Sequence, residues 1–184
     1  MKLKKLVSAV TALSVVAALC TSLSGCGEKK SDKYKVGICQ LAQHDALDAA
    51  TQGFKDALKE KLGDKVTFDE QNAAGEPATC TTIVNQFVSG KVDLIFANAT
   101  GALQAAVSAT DSIPIVGTSI TDYATALEMK DWSGKTGINV TGTSDLAPLD
   151  KQAEMFKELL PNAKKVGILY CSGEANSKYQ ATEV

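Results

Sequence analysis

The stretch V-D-L-I-F-A-N-A-T-G-A-L-Q-A-A-V-S-A-T (residues 92–110) decides the fold class of this chain. Its first six residues, 92–97, form a nearly continuous apolar run, which is typical of a parallel strand covered on both faces. Thr100 is then a candidate N-cap for a helix of small residues from Gly101 to Thr110. A buried strand followed at once by a helix predicts one β-α unit of a parallel sheet.

The same unit repeats on both sides of this stretch. Strand-like apolar runs occur at 35–39, 66–68, 113–117, 136–142 and 166–170. Apolar residues at i, i+3 and i+4 spacing predict amphipathic helices at 46–62, from Pro77 to a stop at Gly90, and at 148–160. Repeated β-α units with short connections predict an α/β protein with a doubly wound parallel sheet.

The domain organisation follows from a break near Ala147, where a run rich in Gly, Thr and Ser ends at Pro148. Residues 34–147 contain a full set of strands and helices and are predicted to form a complete first lobe. Residues 148–184 restart the pattern with a helix, a strand and the beginning of another helix, and are predicted to be an incomplete second lobe. We therefore expect the chain as written to bind a ligand with less than full affinity, because one wall of an interlobe cleft is absent.

The first 26 residues have the layout of a secretory signal. Three lysines within the first five residues precede an uncharged apolar run (6–19), which is shorter than the roughly 20 residues that span a bilayer. The sequence L-S-G-C (23–26) then resembles a lipobox, in which the cysteine is lipid-modified. We predict a signal peptide at 1–25, a lipid-modified Cys26 as the mature N-terminus, and a polar tether at 26–33. The protein would then be exported and anchored by lipid to the outer face of the cell membrane.

The charge of the predicted mature part argues against nucleic acid as a partner. This part has 16 lysines and 21 acidic residues, a net charge of about −5, whereas nucleic-acid binding requires a basic surface. All 19 basic residues of the chain are lysines, so no guanidinium can bind a phosphate or carboxylate in bidentate fashion. Any anion must be held by backbone N–H groups, hydroxyls or lysine.

Five cysteines are present, of which Cys20 leaves with the predicted signal and Cys26 carries the predicted lipid. Cys39, Cys80 and Cys171 remain, with no C-x-x-C motif and no spacing typical of a metal site. We predict that these three are buried free thiols.

Polar residues follow each predicted strand. Ligands of open α/β sheets bind beyond the carboxyl ends of the strands, where helix N-termini also present free N–H groups. The candidates are Gln40, Gln43, His44 and Asp48 after the first strand, Gln71, Asn72 and Gly75 after the second, Asn98, Thr100 and Gly101 after the third, Thr118, Ser119, Thr121 and Asp122 after the fourth, Thr141, Thr143, Ser144 and Asp145 after the fifth, and Ser172, Glu174, Asn176 and Ser177 after the last. Ordinary capping and turn roles explain any single one of them, but the whole set favours a ligand-binding cleft.

Five segments carry a resemblance to a known family. They are K-V-G-I-C-Q-L-A-Q-H-D-A-L-D-A-A (35–50), V-D-L-I-F-A-N-A-T (92–100), G-T-S-I-T-D (117–122), I-N-V-T-G-T-S-D-L-A-P (138–148) and G-I-L-Y-C-S-G-E-A-N-S (167–177). Together they are similar to the ABC-transporter substrate-binding family that includes tryptophan- and tyrosine-binding lipoproteins.

The resemblance implies a type 1 periplasmic-binding-protein fold, in which two α/β lobes close on a small ligand, and an ABC permease as partner. It also implies which residues line the cleft: Gln40, His44, Thr100, Thr121, Asp122, Ser144, Asp145, Asn176 and Ser177. Asp45 departs from the family pattern, which has proline after the histidine, so the presentation of His44 differs here.

No catalytic motif, cofactor motif or metal motif is recognisable: G-x-S-x-G, G-x-G-x-x-G, a P-loop and H-E-x-x-H are all absent. His44 is the sole histidine, and we expect it to face a ligand or to cap a helix rather than to act as a general base. The protein is therefore predicted not to be an enzyme, and no cofactor is expected.

Three functions remain open from the sequence. The first, which the resemblance favours, is the binding subunit of an importer for an aromatic amino acid, with the ammonium held by Asp122, Asp145 or Glu174. The second is the same fold with a sugar or nucleoside, which the low aromatic content of 5% and the lack of arginine disfavour. The third is an exported enzyme, which the missing catalytic motifs disfavour, or a solute-sensing lipoprotein without transport.

Overall fold

The structure is a computed structural model that describes residues 33–184. The predicted signal peptide, Cys26 and the tether as far as residue 32 lie outside the described residues. Five strands alternate with six α-helices in the described part: β1 (Tyr34–Gln40), α1 (Asp45–Leu62), β2 (Val66–Asn72), α2 (Pro77–Ser89), β3 (Leu94–Asn98), α3 (Thr100–Ala109), β4 (Ile115–Ile120), α4 (Tyr123–Ala126), β5 (Val140–Ser144), α5 (Leu149–Leu159) and α6 (Ala175–Glu183). A short 3₁₀ turn, Gly63–Lys65, connects α1 to β2.

The strands form one parallel sheet in the order β2-β1-β3-β4-β5. The chain moves outward in one direction from β1 to β2 and in the opposite direction from β3 to β5. The direction therefore reverses between β1 and β3, which is the topological switch point of a doubly wound sheet. The predicted α/β class with a doubly wound parallel sheet is confirmed.

Helices cover both faces of this sheet. On one face, α1 packs against Val36 and Ile38, and the Phe54 ring stacks on Phe96 with 3.9 Å between the ring centroids. On the other face, α2, α3 and α4 bury a larger cluster that includes Phe87 and Leu103. Alternate residues of β1 serve the two faces because successive side chains of a strand point in opposite directions.

Three predicted strands end too early in the chain. The strand predicted at 66–68 continues to Asn72, that at 113–117 is observed at Ile115–Ile120, and that at 136–142 is observed at Val140–Ser144. The prediction followed apolar runs, but pairing of parallel strands uses only the backbone and continues into polar residues. The register of β2 on β1 therefore extends to the polar pair Gln40 and Asn72.

The region after Ala147 differs from the prediction in one element. The strand predicted at 166–170 is not formed: these residues pair with no strand of the described chain, and Leu169 is fully exposed. A parallel strand needs a neighbour for its backbone groups, and β5 does not pair with this segment. The predicted helix start at Ser177 is part of a full helix, α6. None of the helices within residues 33–184 is long and apolar enough to cross a membrane.

The three cysteines in the described part are all free thiols. Cys39 and Cys80 are fully buried as predicted, but Cys171 is exposed and that part of the prediction is wrong. Cys171 follows the unpaired segment 166–170, so no second layer of structure covers it.

Candidate functional site

The carboxyl ends of the central strands are tied together by backbone hydrogen bonds. The N–H of Leu41, just after β1, donates to the carbonyl of Asn98 at the end of β3 at 3.1 Å. The N–H of Ala99 donates in turn to the carbonyl of Thr118 on β4 at 3.0 Å. These hydrogen bonds hold the strand ends at the switch point in fixed positions. From there, α1 continues onto one face of the sheet and α3 onto the other.

A buried polar network occupies the α1 side of the switch point. Gln40 Nε2 donates to Asp48 Oδ1 at 2.6 Å and to the carbonyl of Ala42 at 2.8 Å. Its Oε1 accepts from Thr51 Oγ1 at 2.7 Å and from Asn98 Nδ2 at 3.5 Å. Both polar atoms of Gln40 are thus engaged inside the protein, which makes it a residue that orients α1.

The sequence analysis did not single out Thr51, although the signal was present. Thr51 is almost fully buried and lies four residues after Leu47 and three before Phe54, on the apolar stripe of α1. A hydroxyl on such a stripe needs a buried partner. Its partners are Gln40 and Asn98, whose Nδ2 donates to Thr51 Oγ1 at 2.9 Å. Asn98 Oδ1 is buried without a hydrogen-bond partner in the described chain.

His44 is the N-cap of α1. Its Nδ1 accepts from the N–H of Ala46 at 3.2 Å, so the neutral ring carries its proton on Nε2. The ring is exposed, which leaves Nε2–H as a donor toward solvent. Helix capping, one of the two predicted roles for His44, is confirmed.

The start of α3 differs from the prediction. Thr100 was predicted to cap this helix, but it is the first helical residue, and Ala99 occupies the cap position without a side-chain hydrogen bond. Ala99 has φ +89°, a conformation that costs a non-glycine residue about 1–3 kcal/mol and is often found at functional sites. The first N–H groups of α3 consequently receive no side-chain acceptor from the capping residue.

Two cavities lie along the carboxyl edge of the sheet. One, of about 220 Å³, is lined by Leu41 and Gly101 together with Gln104, Glu174 and Asn176. The structure therefore brings together two predicted site residues, Gly101 and Asn176, that are 75 positions apart in the sequence. A second cavity, of about 490 Å³, includes Gln40 together with Gln43, Asp48, Gln71 and Asn72, which also follow or end the first two strands.

A further group of predicted site residues lies at the ends of β4 and β5. Ser144 Oγ donates to the carbonyl of Thr121 at 2.8 Å, and Asp122 Oδ1 caps α4 by accepting from the N–H of Thr125 at 2.7 Å. Asp145 is exposed and is held by its backbone N–H, which donates to the carbonyl of Ile120 at 3.1 Å. Thr121 and Ser144 therefore join the two strand ends.

Tyr123, which the sequence analysis did not identify, organises this second group. Its hydroxyl donates to the carbonyl of Gly117 at 3.1 Å and also lies 3.4 Å from the carbonyl of Thr143. Burial, with a smaller contribution from the Asp145 carboxylate, raises the pKa of Tyr123 to about 12. No local pattern marks this residue, because its partners lie on two different strands.

Ser177, the remaining predicted site residue, supports Glu174. Its Oγ donates to Glu174 Oε2 at 2.9 Å, at the rim of the cavity that contains Gly101. Within residues 33–184, no group of three or more His, Cys, Asp or Glu side chains is arranged to hold a metal ion.

The switch point, the uncapped helix start and the polar strand ends all lie at the carboxyl edge of the parallel sheet, which is where open α/β sheets bind their ligands. Residues 35–184 match the family described as ABC transporter substrate binding protein, and the chain belongs to this family. Proteins of this family bind solutes and are extracytoplasmic. The predicted family resemblance is confirmed.

Three relatives place the chain within the family. A tyrosine-binding protein of Clostridioides difficile is 40% identical over 97% of this chain and 55% of its own length. A crystal structure of an ABC domain in complex with L-Trp from Streptococcus pneumonia is 39% identical with a TM-score of 0.75, covering 82% of this chain and 52% of that one. A conserved domain protein from Vibrio cholerae is 42% identical with a TM-score of 0.75 and the same coverage of 82% and 52%. The chain therefore spans about half the length of the relatives it matches.

Proposed function

We propose that this chain belongs to a solute-binding lipoprotein that delivers an aromatic amino acid to an ABC permease, and that it binds rather than transforms its ligand. The observation that carries the proposal is the cavity in which the start of α3, at Gly101, lies together with the carboxylate of Glu174. An amino acid carries one negative and one positive group, and this cavity offers a partner for each.

The α3 side of the cavity suits the ligand carboxylate. Ala99 provides no side-chain cap, so the N–H groups of Thr100 and Gly101 and the positive end of the helix dipole are left for an anion. The chain has no arginine and no lysine of residues 33–184 lines this cavity, so backbone N–H groups, hydroxyls and amides are the anion donors available there. The strained conformation of Ala99 positions these groups and fits a functional role for this turn.

The opposite rim suits the ammonium. The hydrogen bond from Ser177 orients the Glu174 carboxylate, and Asn176 adds an amide beside it. A charge-assisted hydrogen bond between a carboxylate and an ammonium is worth about 1.5–3 kcal/mol. Glu174 is therefore the preferred ammonium partner among the three acidic residues considered from the sequence, since Asp122 already caps α4 and Asp145 is exposed.

The other predicted site residues are proposed to line the outer wall of the closed cleft. Thr121, Asp122, Ser144 and Asp145 lie at the ends of β4 and β5, and His44 presents Nε2–H beyond β1. The 220 Å³ cavity is smaller than the roughly 300–1,000 Å³ of typical ligand pockets. The ligand's aromatic side chain would thus extend toward these residues and toward a second lobe.

Ligand analogues test the two charged contacts separately. The full chain in detergent should be titrated, with NMR detection that tolerates weak binding, against L-tryptophan, L-tyrosine, tryptophanamide and N-acetyltryptophan. Tryptophanamide lacks the carboxylate and N-acetyltryptophan lacks the ammonium, so each should bind at least about tenfold more weakly than L-tryptophan. Equal affinity for L-tryptophan and both analogues would contradict the proposed site.

Matched variants identify the residues. Glu174→Gln should weaken L-tryptophan binding by about 10–100-fold, while Glu183→Gln, at the far end of α6, should leave it unchanged. Asp145→Ala should weaken the free energy of L-tryptophan binding by more than about 1.5 kcal/mol, because Asp145 is proposed to line the cleft. The matched control is Asp150→Ala, which changes an exposed carboxylate on α5 and should leave binding unchanged. Unchanged affinity after Asp145→Ala would remove Asp145 from the site.

The proposed lipid anchor has an independent test. Cys26→Ser should leave the precursor unprocessed and abolish labelling by radioactive palmitate, because the lipobox cysteine receives the lipid. Cys20→Ser, within the predicted signal, should leave labelling intact. Undiminished labelling of the Cys26→Ser variant would contradict the anchor while leaving the binding proposal open to its own test.

A further inference from the structure

Two buried cysteines meet between the sheet and the helix α2. Cys39 is the sixth residue of β1 and Cys80 lies in the first half of α2, and neither is exposed. Both belong to the same buried cluster between the sheet and α2, and each thiol shifts the pKa of the other, so the two sulfurs are neighbours. Forty residues separate the two in the sequence, so only the fold brings them together.

The packing of α2 on β1 places these side chains opposite each other. A Cβ atom on Gly37 would lie 2.6 Å from the Phe87 ring, which shows that this face of β1 is covered directly by α2. Cys39 follows Gly37 by two residues and therefore shares its face. Cys80 precedes Phe87 by seven residues, two helical turns, and shares its stripe. Because α2 connects β2 back to β3, it runs antiparallel to β1, so Cys39 and Cys80 both lie on the carboxyl-edge side of the contact between Gly37 and Phe87.

The pKa shifts of the two thiols indicate which of them is the first nucleophile. Interaction with the Cys80 thiol, together with burial, raises the pKa of Cys39, and interaction with the Cys39 thiol lowers the pKa of Cys80. The thiolate is the nucleophile in thiol–disulfide exchange, so Cys80 is the thiol that reacts first.

We propose that Cys39 and Cys80 form a disulfide that joins β1 to α2 once the protein is outside the cytoplasm, where disulfides persist. The oxidant is a small or protein-bound disulfide. The Cys80 thiolate attacks it, forms a mixed disulfide and releases one thiol. The Cys39 thiolate then attacks Cys80 Sγ and releases the second thiol, so two cysteine thiols are oxidised and one disulfide of the oxidant is reduced to two thiols. Both sulfurs are inaccessible in the packed lobe, so oxidation occurs before α2 packs or during its local opening.

The disulfide would fix the backbone elements that carry the candidate site. Cys39 directly precedes Gln40 at the switch point, and α2 begins at Pro77, which lines the cavity with Gly101. The disulfide would hold the first turns of α2 against the end of β1. The inference requires export but not the identity of the ligand, so its failure would leave the proposed function standing.

Peptide mapping gives a direct test. The full chain should be incubated with glutathione disulfide, unfolded in guanidinium at low pH, alkylated without reductant at neutral pH and digested with trypsin. Cleavage after lysine places Cys39 in peptide 36–55, Cys80 in peptide 66–91 and Cys171 in peptide 166–178. We expect peptides 36–55 and 66–91 as one linked species, two hydrogen masses below their sum, and an alkylated peptide 166–178. Alkylation of both Cys39 and Cys80, stable glutathione adducts on either, or a link to Cys171 would overturn the proposal.

Thermal unfolding supplies the second readout. Reduction should lower the melting temperature of the oxidised protein by about 10 °C, because the bond closes a long loop in the unfolded chain. Cys171→Ala should keep this shift, and Cys80→Ala should abolish it. If Cys80→Ala does not fold, Cys39→Ala serves the same purpose, and the peptide map of the unaltered chain decides the question without any variant. A melting temperature of the Cys171→Ala protein that does not respond to reduction would contradict the disulfide.

Discussion

Apolar side chains recur with clear periodicity both in residues 34–147 and in residues 148–184. The two regions bury these side chains to very different extents. In the first region, Phe87, Ile95 and Leu103 are sealed between the sheet and the helices. In the second, α5 is the most strongly amphipathic of the described helices, yet Leu149 is its only buried residue. Its apolar stripe and the unpaired segment 166–170 face a groove of about 590 Å³ that also includes Val184.

This difference shows that an amphipathic pattern specifies which face of a helix or strand is to be buried. It does not specify which other element packs on that face. Apolar side chains on α5 contribute stability only when a second layer removes them from water. The chain spans about half the length of its relatives, and an exposed apolar surface of this kind marks an interaction site or an aggregation risk. Stability should accordingly reside in the first region.

The largest effect should come from truncating matched phenylalanines in the two regions. Phe87 is 1% exposed and Phe156 is 44% exposed. We expect Phe87→Ala to lower the free energy of unfolding by about 3–5 kcal/mol and Phe156→Ala to lower it by less than about 1 kcal/mol. Urea unfolding followed by circular dichroism measures both. Similar losses for the two variants would show that α5 is packed as tightly as α2.

A pH-dependent effect should come from the end of the first region, at Tyr123. Its folded pKa of about 12 exceeds the ordinary value of 10, so the folded state retains a proton that the unfolded state loses. The free energy of unfolding should therefore fall as pH rises from about 10 to about 12, by about 2–3 kcal/mol from this residue. Tyr123→Phe should remove that contribution, visible as the difference between the urea midpoints of the two proteins across pH 9–12. Parallel pH curves would contradict the buried neutral phenol.

A smaller contrast should come from adding one methyl group in each region. In Gly37→Ala the new Cβ meets the Phe87 ring at 2.6 Å, whereas in Gly167→Ala it meets no atom within 4 Å. Overpacking typically costs about 1–3 kcal/mol, so Gly37→Ala should be destabilising by this amount. Gly167→Ala should change the free energy of unfolding by less than about 0.5 kcal/mol. Melting curves of the two proteins provide the comparison, and a cost at Gly167 equal to that at Gly37 would show that segment 166–170 is covered in solution.

The candidate site was predictable in part. Gly101 and Asn176 were predicted as site residues and line one cavity, because both follow the carboxyl edge of the sheet. Gln40 was predicted from the same argument, but its side chain turns inward and its hydrogen bonds are used by Asp48 and Thr51. Position after a strand identifies residues near the site and does not determine where each side chain directs its polar atoms.

Local sequence alone was sufficient for the alternation of strands and helices from β1 to β4, because apolar periodicity reflects the face that each element must bury. It was also sufficient for the bounds of α1, predicted at 46–62 and observed at Asp45–Leu62. The ends of β2 and β4, the network around Thr51, the phenol of Tyr123 and the meeting of Cys39 with Cys80 required the folded chain. Each of these depends on backbone or side-chain partners from separate elements, and strand order brings such partners together over distances that no local pattern records.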